Sequence, residues 1–128
     1  MRKVIKTTKA PAAVGPYSQA IKADNVVYCS GQLGLDPASG NMVAGGIEAQ
    51  ARQVLRNLQA VLTEAGSDLR HVVKCTVFMQ DLADFAVMNQ VYSEFFPPDG
   101  EPPARSTFQV AKLPKDALVE IEAIALVK

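Results

Sequence analysis

The chain has 128 residues, of which 48% are hydrophobic and 20% are charged, and its formal net charge is +0. This length suits a single domain over residues 1–128 with one core. The neutral balance gives no electrostatic reason to expect a nucleic-acid or membrane-surface partner. Every apolar segment is too short to span a bilayer, and no long apolar run follows the first lysines, so we expect a cytoplasmic protein without a secretory signal.

The first third of the chain predicts three strands. Residues 1–8 fit a short edge strand whose charges discourage edge-to-edge pairing, and residues 9–17 form a loop with two prolines and a glycine. Segments 18–22 and 25–30 flank a turn, and the second has strong β preference, so together they predict a hairpin. The five glycines of 31–46 lack the spacing of phosphate-binding motifs, which argues against a nucleotide cofactor.

The middle of the chain predicts two helices on either side of a strand. Residues 47–65 carry one continuous apolar helical face, and Gly66 follows as a natural cap. Residues 72–80 alternate as a strand does. The side chains that this strand directs to the core are predicted to be Val73, Cys75, Val77 and Met79. A second helix is expected to begin at an Asp81 cap and to end before Pro97. Its predicted buried face consists of Phe85, Met88, Val91, Tyr92 and Phe95.

The last quarter, residues 103–126, predicts two strands joined by a turn at 113–116. Charged side chains lie among its apolar residues, where each needs a partner, a water or a catalytic task. Alternation directs Glu120 and Glu122 to the same side of their strand. A structural interpretation pairs Arg105 with one of these glutamates, across the hairpin or an interface. A functional interpretation has Arg105 anchoring a substrate carboxylate near a water that a glutamate positions.

The predicted order β-β-β-α-β-α-β-β indicates a compact α+β domain. Two helices can cover only one face of a mixed sheet of about six strands. The strands at 26–30 and 118–127 carry apolar residues on both faces, and no segment remains to cover the second one. We therefore expect another copy of the chain to cover it.

Metal or triad chemistry has little support in this sequence. His71 is the only histidine, and no cysteine or histidine pair has ligand spacing. No nucleophile elbow accompanies this single candidate base, so we expect His71 to have a surface or locally hydrogen-bonded role. Cys29 and Cys75 fall in predicted core strands and are expected to be buried, reduced thiols.

Several segments together carry a family resemblance. The longest, at 103–122, reads P-A-R-S-T-F-Q-V-A-K-L-P-K-D-A-L-V-E-I-E. Others read G-P-Y-S-Q-A at 15–20, S-G-Q-L-G-L-D-P at 30–37, G-G-I-E-A-Q at 45–50 and V-V-K-C-T-V-F-M at 72–79. Over nearly its whole length the chain resembles the Rid family (YjgF/UK114), in its RidA branch.

The resemblance implies a chorismate-mutase-like fold assembled as a homotrimer, with clefts between the subunits. It also implies hydrolysis of reactive 2-imino acids or their enamine tautomers, such as 2-aminoacrylate and 2-iminobutanoate, to 2-keto acids and ammonia. Pyridoxal-phosphate enzymes that act on serine and threonine release these intermediates. Members of the RidA branch use no cofactor and no metal themselves.

The same resemblance implies roles for the two charged residues at matching positions. Arg105 would hold the substrate carboxylate with two N–H groups of its planar guanidinium, which form a donor fork. A lysine would supply the positive charge without this fork. Glu120 would orient and activate the water, and would stabilise the iminium that develops. Both are therefore the expected catalytic residues.

Further residues are expected to complete the cleft. The resemblance implies backbone contacts from Gly31 and Thr107, with Tyr17 contributed by a neighbouring chain, while Asn89 lines the cleft. Thr107 replaces a cysteine that many bacterial members carry, but a backbone contact is indifferent to the side chain. For Glu122 an interface ion pair is the favoured interpretation.

The sequence is also compatible with two other functions. Some relatives are described as endoribonucleases that inhibit translation. The sequence gives this alternative little support, because Lys3, Lys6 and Lys9 form its only basic cluster and it has no histidine pair. The other alternative is a non-catalytic binder of small carboxylates, or a chaperone-like trimer with exposed apolar clefts.

Overall fold

The computed structural model describes residues 1–128. Two helices, α1 (Gly46–Glu64) and α2 (Phe85–Phe95), accompany six strands. The strands are β1 (Arg2–Ile5), β2 (Ala20–Ala23), β3 (Val26–Gln32), β4 (Val72–Met79), β5 (Ala104–Gln109) and β6 (Val119–Leu126). They form one mixed sheet in the order β1-β2-β3-β6-β4-β5, in which only the β4–β5 pair is parallel. The predicted element order and α+β class are confirmed.

The predicted hairpin over 103–126 is wrong. β6 pairs antiparallel with both β3 and β4, and β5 pairs in parallel with the other side of β4. Because β4 lies between β5 and β6, the turn at 113–116 sets no register between them and no ion pair can form across a hairpin. The physical reason is visible in the burial of the two strands. β6 alternates buried residues with partly exposed ones, as suits a central strand, whereas no residue of β5 is buried.

The core lies between α1 and one face of the sheet. The buried residues of β6 on this face are Val119, Ile121, Ala123 and Ala125. From α1, the fully buried side chains include Val54, Leu55, Leu58, Val61 and Leu62. Each such aliphatic side chain contributes about 1.5–3 kcal/mol through removal of its surface from water. This burial fixes β6 in the centre of the sheet, and β6 carries the two glutamates on its other side.

Three local predictions are corrected. Val73 is 43% exposed, because the β4–β6 register shifts beside it and Val72 takes the buried position. Asp81 caps a short 3-10 turn before α2 and accepts a hydrogen bond from the Ala83 N–H at 2.9 Å, so it does not cap α2 itself. Phe85, the first residue of α2, is 37% exposed and does not belong to the core.

The face of the sheet opposite α1 carries no helix and exposes large aromatic side chains. Tyr28 is 50% exposed and Phe108 is 44% exposed on this face. The ring of Phe108 packs edge-on against Phe78, with ring centroids 5.3 Å apart. Two helices therefore cover one side only, as predicted. Neither helix is long and apolar enough to cross a membrane.

Candidate active site

Strand β5 directs Arg105 to the side of the sheet that the helices cover. Its register partner is Cys75 of β4, a core residue. The Arg105 Nη1 atom donates a hydrogen bond to Asn89 Oδ1 at 2.8 Å. Its guanidinium carbon lies 4.7 Å from the ring centroid of Tyr92 and 5.6 Å from that of Phe85. No carboxylate of the chain forms an ion pair with Arg105, so part of its donor fork is free for a ligand.

Polar atoms without partners lie close to this arginine. Thr107 follows Arg105 by two residues and shares its face of β5, and its Oγ1 atom is buried without a hydrogen-bond partner. The Tyr92 hydroxyl is also buried without a hydrogen-bond partner. Burial raises the pKa of both Tyr92 and the neighbouring Cys75 thiol. Both groups therefore stay protonated at neutral pH, so neither supplies a base or a thiolate nucleophile.

We call Asn89, Arg105 and Thr107 the arginine group.

Glu120 lines a cavity of about 680 Å³ together with Tyr17, Gly31, Lys115 and Glu122. We call it the glutamate cavity. A Cβ atom on residue 31 would lie 2.7 Å from Glu120 Oε2. Only glycine therefore lets the carboxylate lie against β3, because real Cβ atoms do not approach so closely. The tyrosine lies over the cavity, and its hydroxyl oxygen accepts a 3.4 Å hydrogen bond from the Val14 N–H.

The Glu120 carboxylate has an unusual electrostatic environment. Burial raises its pKa above the ordinary value of glutamate, and the nearby Glu122 charge raises it further. Glu120 forms no ion pair within the chain. A half-buried carboxylate with a raised pKa and no structural partner is suited to hold a water or to transfer a proton. Glu122 is exposed and makes no ion pair within the chain either.

The arginine group and the glutamate cavity lie on opposite faces of the sheet. Arg105 shares a face with its register partner Cys75, while Glu120 shares a face with its register partner Phe78. Positions 75 and 78 are three residues apart on one strand and therefore point in opposite directions. Within one chain, Arg105 and Glu120 cannot contact the same small molecule.

The structure thus sorts the six predicted site residues into two sets. Tyr17, Gly31 and Glu120 lie together in the glutamate cavity, and Asn89, Arg105 and Thr107 lie together at β5 and α2. Tyr17 and Glu120 line one cavity of the same chain, so the prediction that a neighbouring chain contributes Tyr17 applies relative to Arg105 and stays a prediction. The sheet itself separates Tyr17 from Arg105.

Sequence patterns alone did not indicate that Phe85 and Tyr92 flank Arg105. A usable signal was present, because Phe85, Asn89 and Tyr92 are spaced i, i+4 and i+7 along α2 and therefore lie on one side of it. Their counterpart on β5 was not recognisable, since the parallel pairing of β4 with β5 that brings Arg105 to this helix cannot be read from local periodicity.

The remaining candidates have structural roles. His71 Nδ1 lies 2.7 Å from Asp68 Oδ1, which is the local hydrogen-bonded role predicted for it. Cys29 and Cys75 are buried free thiols, as predicted. They lie on β3 and β4, on either side of the same β6 residue, Ala123.

Comparison with known proteins gives a consistent result. A protein-family model described as Endoribonuclease L-PSP matches residues 7–127. A Mus musculus protein named 2-iminobutanoate/2-iminopropanoate deaminase is 53% identical over 126 residues, which cover 98% of this chain and 92% of the mouse protein. The crystal structure of RidA from the Antarctic bacterium Psychrobacter sp. PAMC 21119 has a TM-score of 0.92 at 49% identity, with 98% and 99% of the two chains covered. The structure of E. coli TdcF with bound serine has a TM-score of 0.91 at 43% identity, with 98% and 99% covered.

Proposed function

This chain belongs to the endoribonuclease L-PSP family, the Rid (YjgF/UK114) family that its motifs resemble, and we propose that it is a 2-iminobutanoate/2-iminopropanoate deaminase. It hydrolyses reactive 2-imino acids and their enamine tautomers, such as 2-iminobutanoate and 2-aminoacrylate, to 2-keto acids and ammonia. The observation that carries this proposal is the 53% identity to the mouse deaminase across 98% of the chain. The unpaired arginine and the unpaired glutamate are the groups that this chemistry needs.

The site is completed between two copies of the chain. Arg105 and Glu120 lie on opposite faces of the sheet, so a substrate that contacts both must lie where the β5 edge of one copy meets the glutamate cavity of the next. The aromatic side chains of Tyr28 and Phe108, about half exposed in the single chain, favour such a contact. A contact between two different surfaces of the same chain gives a closed ring of subunits when the rotation that relates successive copies returns to the first copy. We infer the chorismate-mutase-like homotrimer, with one cleft at each of its three boundaries.

The two groups then have separate chemical roles. The Arg105 fork donates two parallel hydrogen bonds to the substrate carboxylate and fixes the C=N group. Glu120, as carboxylate, accepts a proton from the water whose oxygen attacks the carbon of the protonated imine. The resulting carbinolamine carries one hydroxyl and one amino group on that carbon. Glu120 then gives its proton to the amino nitrogen, and as ammonia leaves and the C=O bond forms, the Glu120 carboxylate takes the hydroxyl proton. The C=N bond is labile, so orientation of the substrate supplies much of the catalysis.

The other predicted residues support this arrangement. The backbone of Gly31 lies against the Glu120 carboxylate and lines the same cavity. Thr107 contributes its backbone, so the absence of the cysteine common in bacterial members leaves hydrolysis intact. Tyr17 covers the cavity beside the imine. Asn89 contacts Arg105, which makes it a neighbour of the carboxylate site. The reaction exchanges only water, protons and ammonia with the substrate, so the proposal includes no cofactor.

RNA is not part of the proposed function. The word endoribonuclease comes from the description of the family model. The formal net charge of the chain is +0, and the glutamate cavity holds two carboxylates against one lysine, which repels phosphate rather than attracting it. We propose a cytoplasmic location, because buried free thiols such as Cys29 and Cys75 suit a reducing compartment.

The proposed activity is tested by following keto-acid release from 2-iminobutanoate that threonine dehydratase generates. The rate is expected to rise with the concentration of this protein. An Arg105→Ala variant of the same oligomeric state is expected to give the rate of the assay without the protein. Equal rates with and without the native protein would contradict the proposal.

The pH dependence of the reaction provides a test of Glu120 as the base. The carboxylate form is needed, so kcat/KM is expected to fall as the pH drops through a Glu120 pKa that lies above the ordinary glutamate value. Glu122→Gln removes a like charge, lowers the pKa of Glu120 and is expected to move this fall to lower pH. Since burial is the larger cause of the raised pKa, part of the elevation remains. The measurement is kcat/KM from pH 4 to 9 for both proteins; a midpoint that stays or rises in Glu122→Gln would argue against Glu120 as the titrating group.

A further inference from the structure

Three side chains of α2 surround the guanidinium of Arg105. Phe85, Asn89 and Tyr92 are spaced four and three residues apart, so they form one stripe along the helix. The two rings lie 5.6 and 4.7 Å from the guanidinium carbon, and Asn89 Oδ1 accepts the 2.8 Å hydrogen bond from Nη1. We call these three residues the α2 cradle. Two rings and one hydrogen bond thus hold the Arg105 side chain, although its strand β5 lies at the edge of the sheet and has only one neighbouring strand.

The hydrogen bond from Arg105 determines which of its donors remain free. A guanidinium has five N–H groups in a planar fork. The Asn89 oxygen occupies Nη1, whereas Nη2 and Nε make no hydrogen bond within the chain. The Nε–Nη2 edge can therefore present two parallel N–H groups to a carboxylate. Because the Asn89 oxygen is used by Arg105, it acts on the arginine rather than on the substrate.

The aromatic rings determine the plane in which this edge lies. A guanidinium is weakly hydrated and stacks on aromatic rings, which a lysine ammonium does less well. Tyr92 is 5% exposed and its ring is fixed by the core. Its hydroxyl has no hydrogen-bond partner. Tyr92 therefore acts on Arg105 through its ring and not through its hydroxyl.

We propose that Phe85, Asn89 and Tyr92 are positioning residues, which hold the Arg105 fork in the one orientation that binds a substrate carboxylate with two hydrogen bonds. This inference rests on the proposed role of Arg105 in carboxylate binding. It adds a helix to the site and assigns Asn89 a role different from direct substrate contact. It also assigns a role to the exposure of Phe85, a large aromatic residue at the start of α2.

The proposal is tested by binding of 2-oxobutanoate, an unreactive carboxylate with the product's structure, measured by calorimetry. Phe85→Leu and Asn89→Ala are each expected to weaken binding about 3- to 30-fold. Asn89→Asp places a carboxylate against the guanidinium, so it is expected to weaken binding more than Asn89→Ala without loss of thermal stability. Phe95→Leu, on the same helix but without contact to Arg105, serves as the matched control.

A spectroscopic measurement separates this proposal from the deaminase proposal. The NMR signal of the Arg105 side-chain N–H, identified by its loss in Arg105→Lys, is expected to be shifted by the two rings. The shift is expected to decrease in Phe85→Leu, whether or not the protein turns over an imine. Binding and NMR shift unchanged in Phe85→Leu and Asn89→Ala, or changed equally in Phe95→Leu, would overturn the positioning role. A normal shift with no imine turnover would instead overturn the deaminase proposal alone.

Discussion

Mixed oligomers of Arg105→Ala and Glu120→Gln chains are expected to regain about a quarter of native activity, although each variant alone is inactive. The single chain holds the two side chains on opposite faces of the sheet, so in the proposed oligomer each cleft takes its arginine from one copy and its glutamate from the next. After random assembly from equal amounts, one cleft in about four receives an intact Arg105 and an intact Glu120. Loss of either group alone is expected to cost about 10²–10³ in kcat.

The experiment uses two chains that are co-expressed in equal amounts and purified together without selection for mixed oligomers, with keto-acid release as the measurement. A matched control mixes native chains with a chain that carries both substitutions. Shared clefts again leave about a quarter of the sites intact, whereas a site built within one chain would leave about half. Two results together would contradict the shared cleft: no activity in the mixed oligomers of the two variants, and half of native activity in the control. They would place Arg105 and Glu120 in one site of the same chain.

Arg105→Lys is expected to lower kcat/KM about 100-fold, even though it keeps the positive charge. The ammonium presents no planar fork, so it binds the carboxylate through single hydrogen bonds and leaves the C=N carbon less well oriented. It also loses the stacking on Phe85 and Tyr92 and is more strongly hydrated. Unlike the alanine variant, it still supplies charge, so we expect a measurable residual rate.

The control for this substitution is Arg52→Lys. Arg52 forms a surface ion pair with Glu94, at 2.6 Å and with two hydrogen bonds between α1 and α2. Because neither Arg52 nor Glu94 is a predicted site residue, activity is expected to stay at the native level. Native-like kcat/KM in Arg105→Lys would mean that charge alone, and not the fork, is what the substrate requires.

The sequence predicts this fold well where local pattern determines structure. The amphipathic stripe of α1 and the alternation of β6 specify both elements, because each buries one face in the core. Local pattern does not specify which strands are neighbours. β5 and β6 follow one another in the chain, yet the polar β5 takes the edge and the apolar β6 takes the centre. The hairpin was predicted because β5 and β6 are adjacent in the sequence. Burial, and not this adjacency, determines which strand lies at the edge of the sheet and which lies at its centre.

The candidate site shows the same limit. Arg105 and Glu120 were identifiable as charges in apolar strands and through family motifs. Their separation by the sheet depends on the register of β4 with both neighbours, which no short segment encodes. The closeness of Gly31 to Glu120 likewise depends on the β3–β6 pairing, and it became visible only with the strands assembled.

The central place of β6 has a consequence for how the protein is made. All its neighbours, β3, β4 and α1, are synthesised before residue 119. Until β6 leaves the ribosome, β3 and β4 each keep an open edge and α1 has no strand to pack on at the middle of the core. The nascent chain therefore carries two unjoined pieces of sheet with exposed apolar surface, the state in which chains are most prone to aggregate. The two pieces of sheet can therefore join only after Val119–Leu126 has been synthesised, so the core of this domain is completed in a last step and not strand by strand during synthesis.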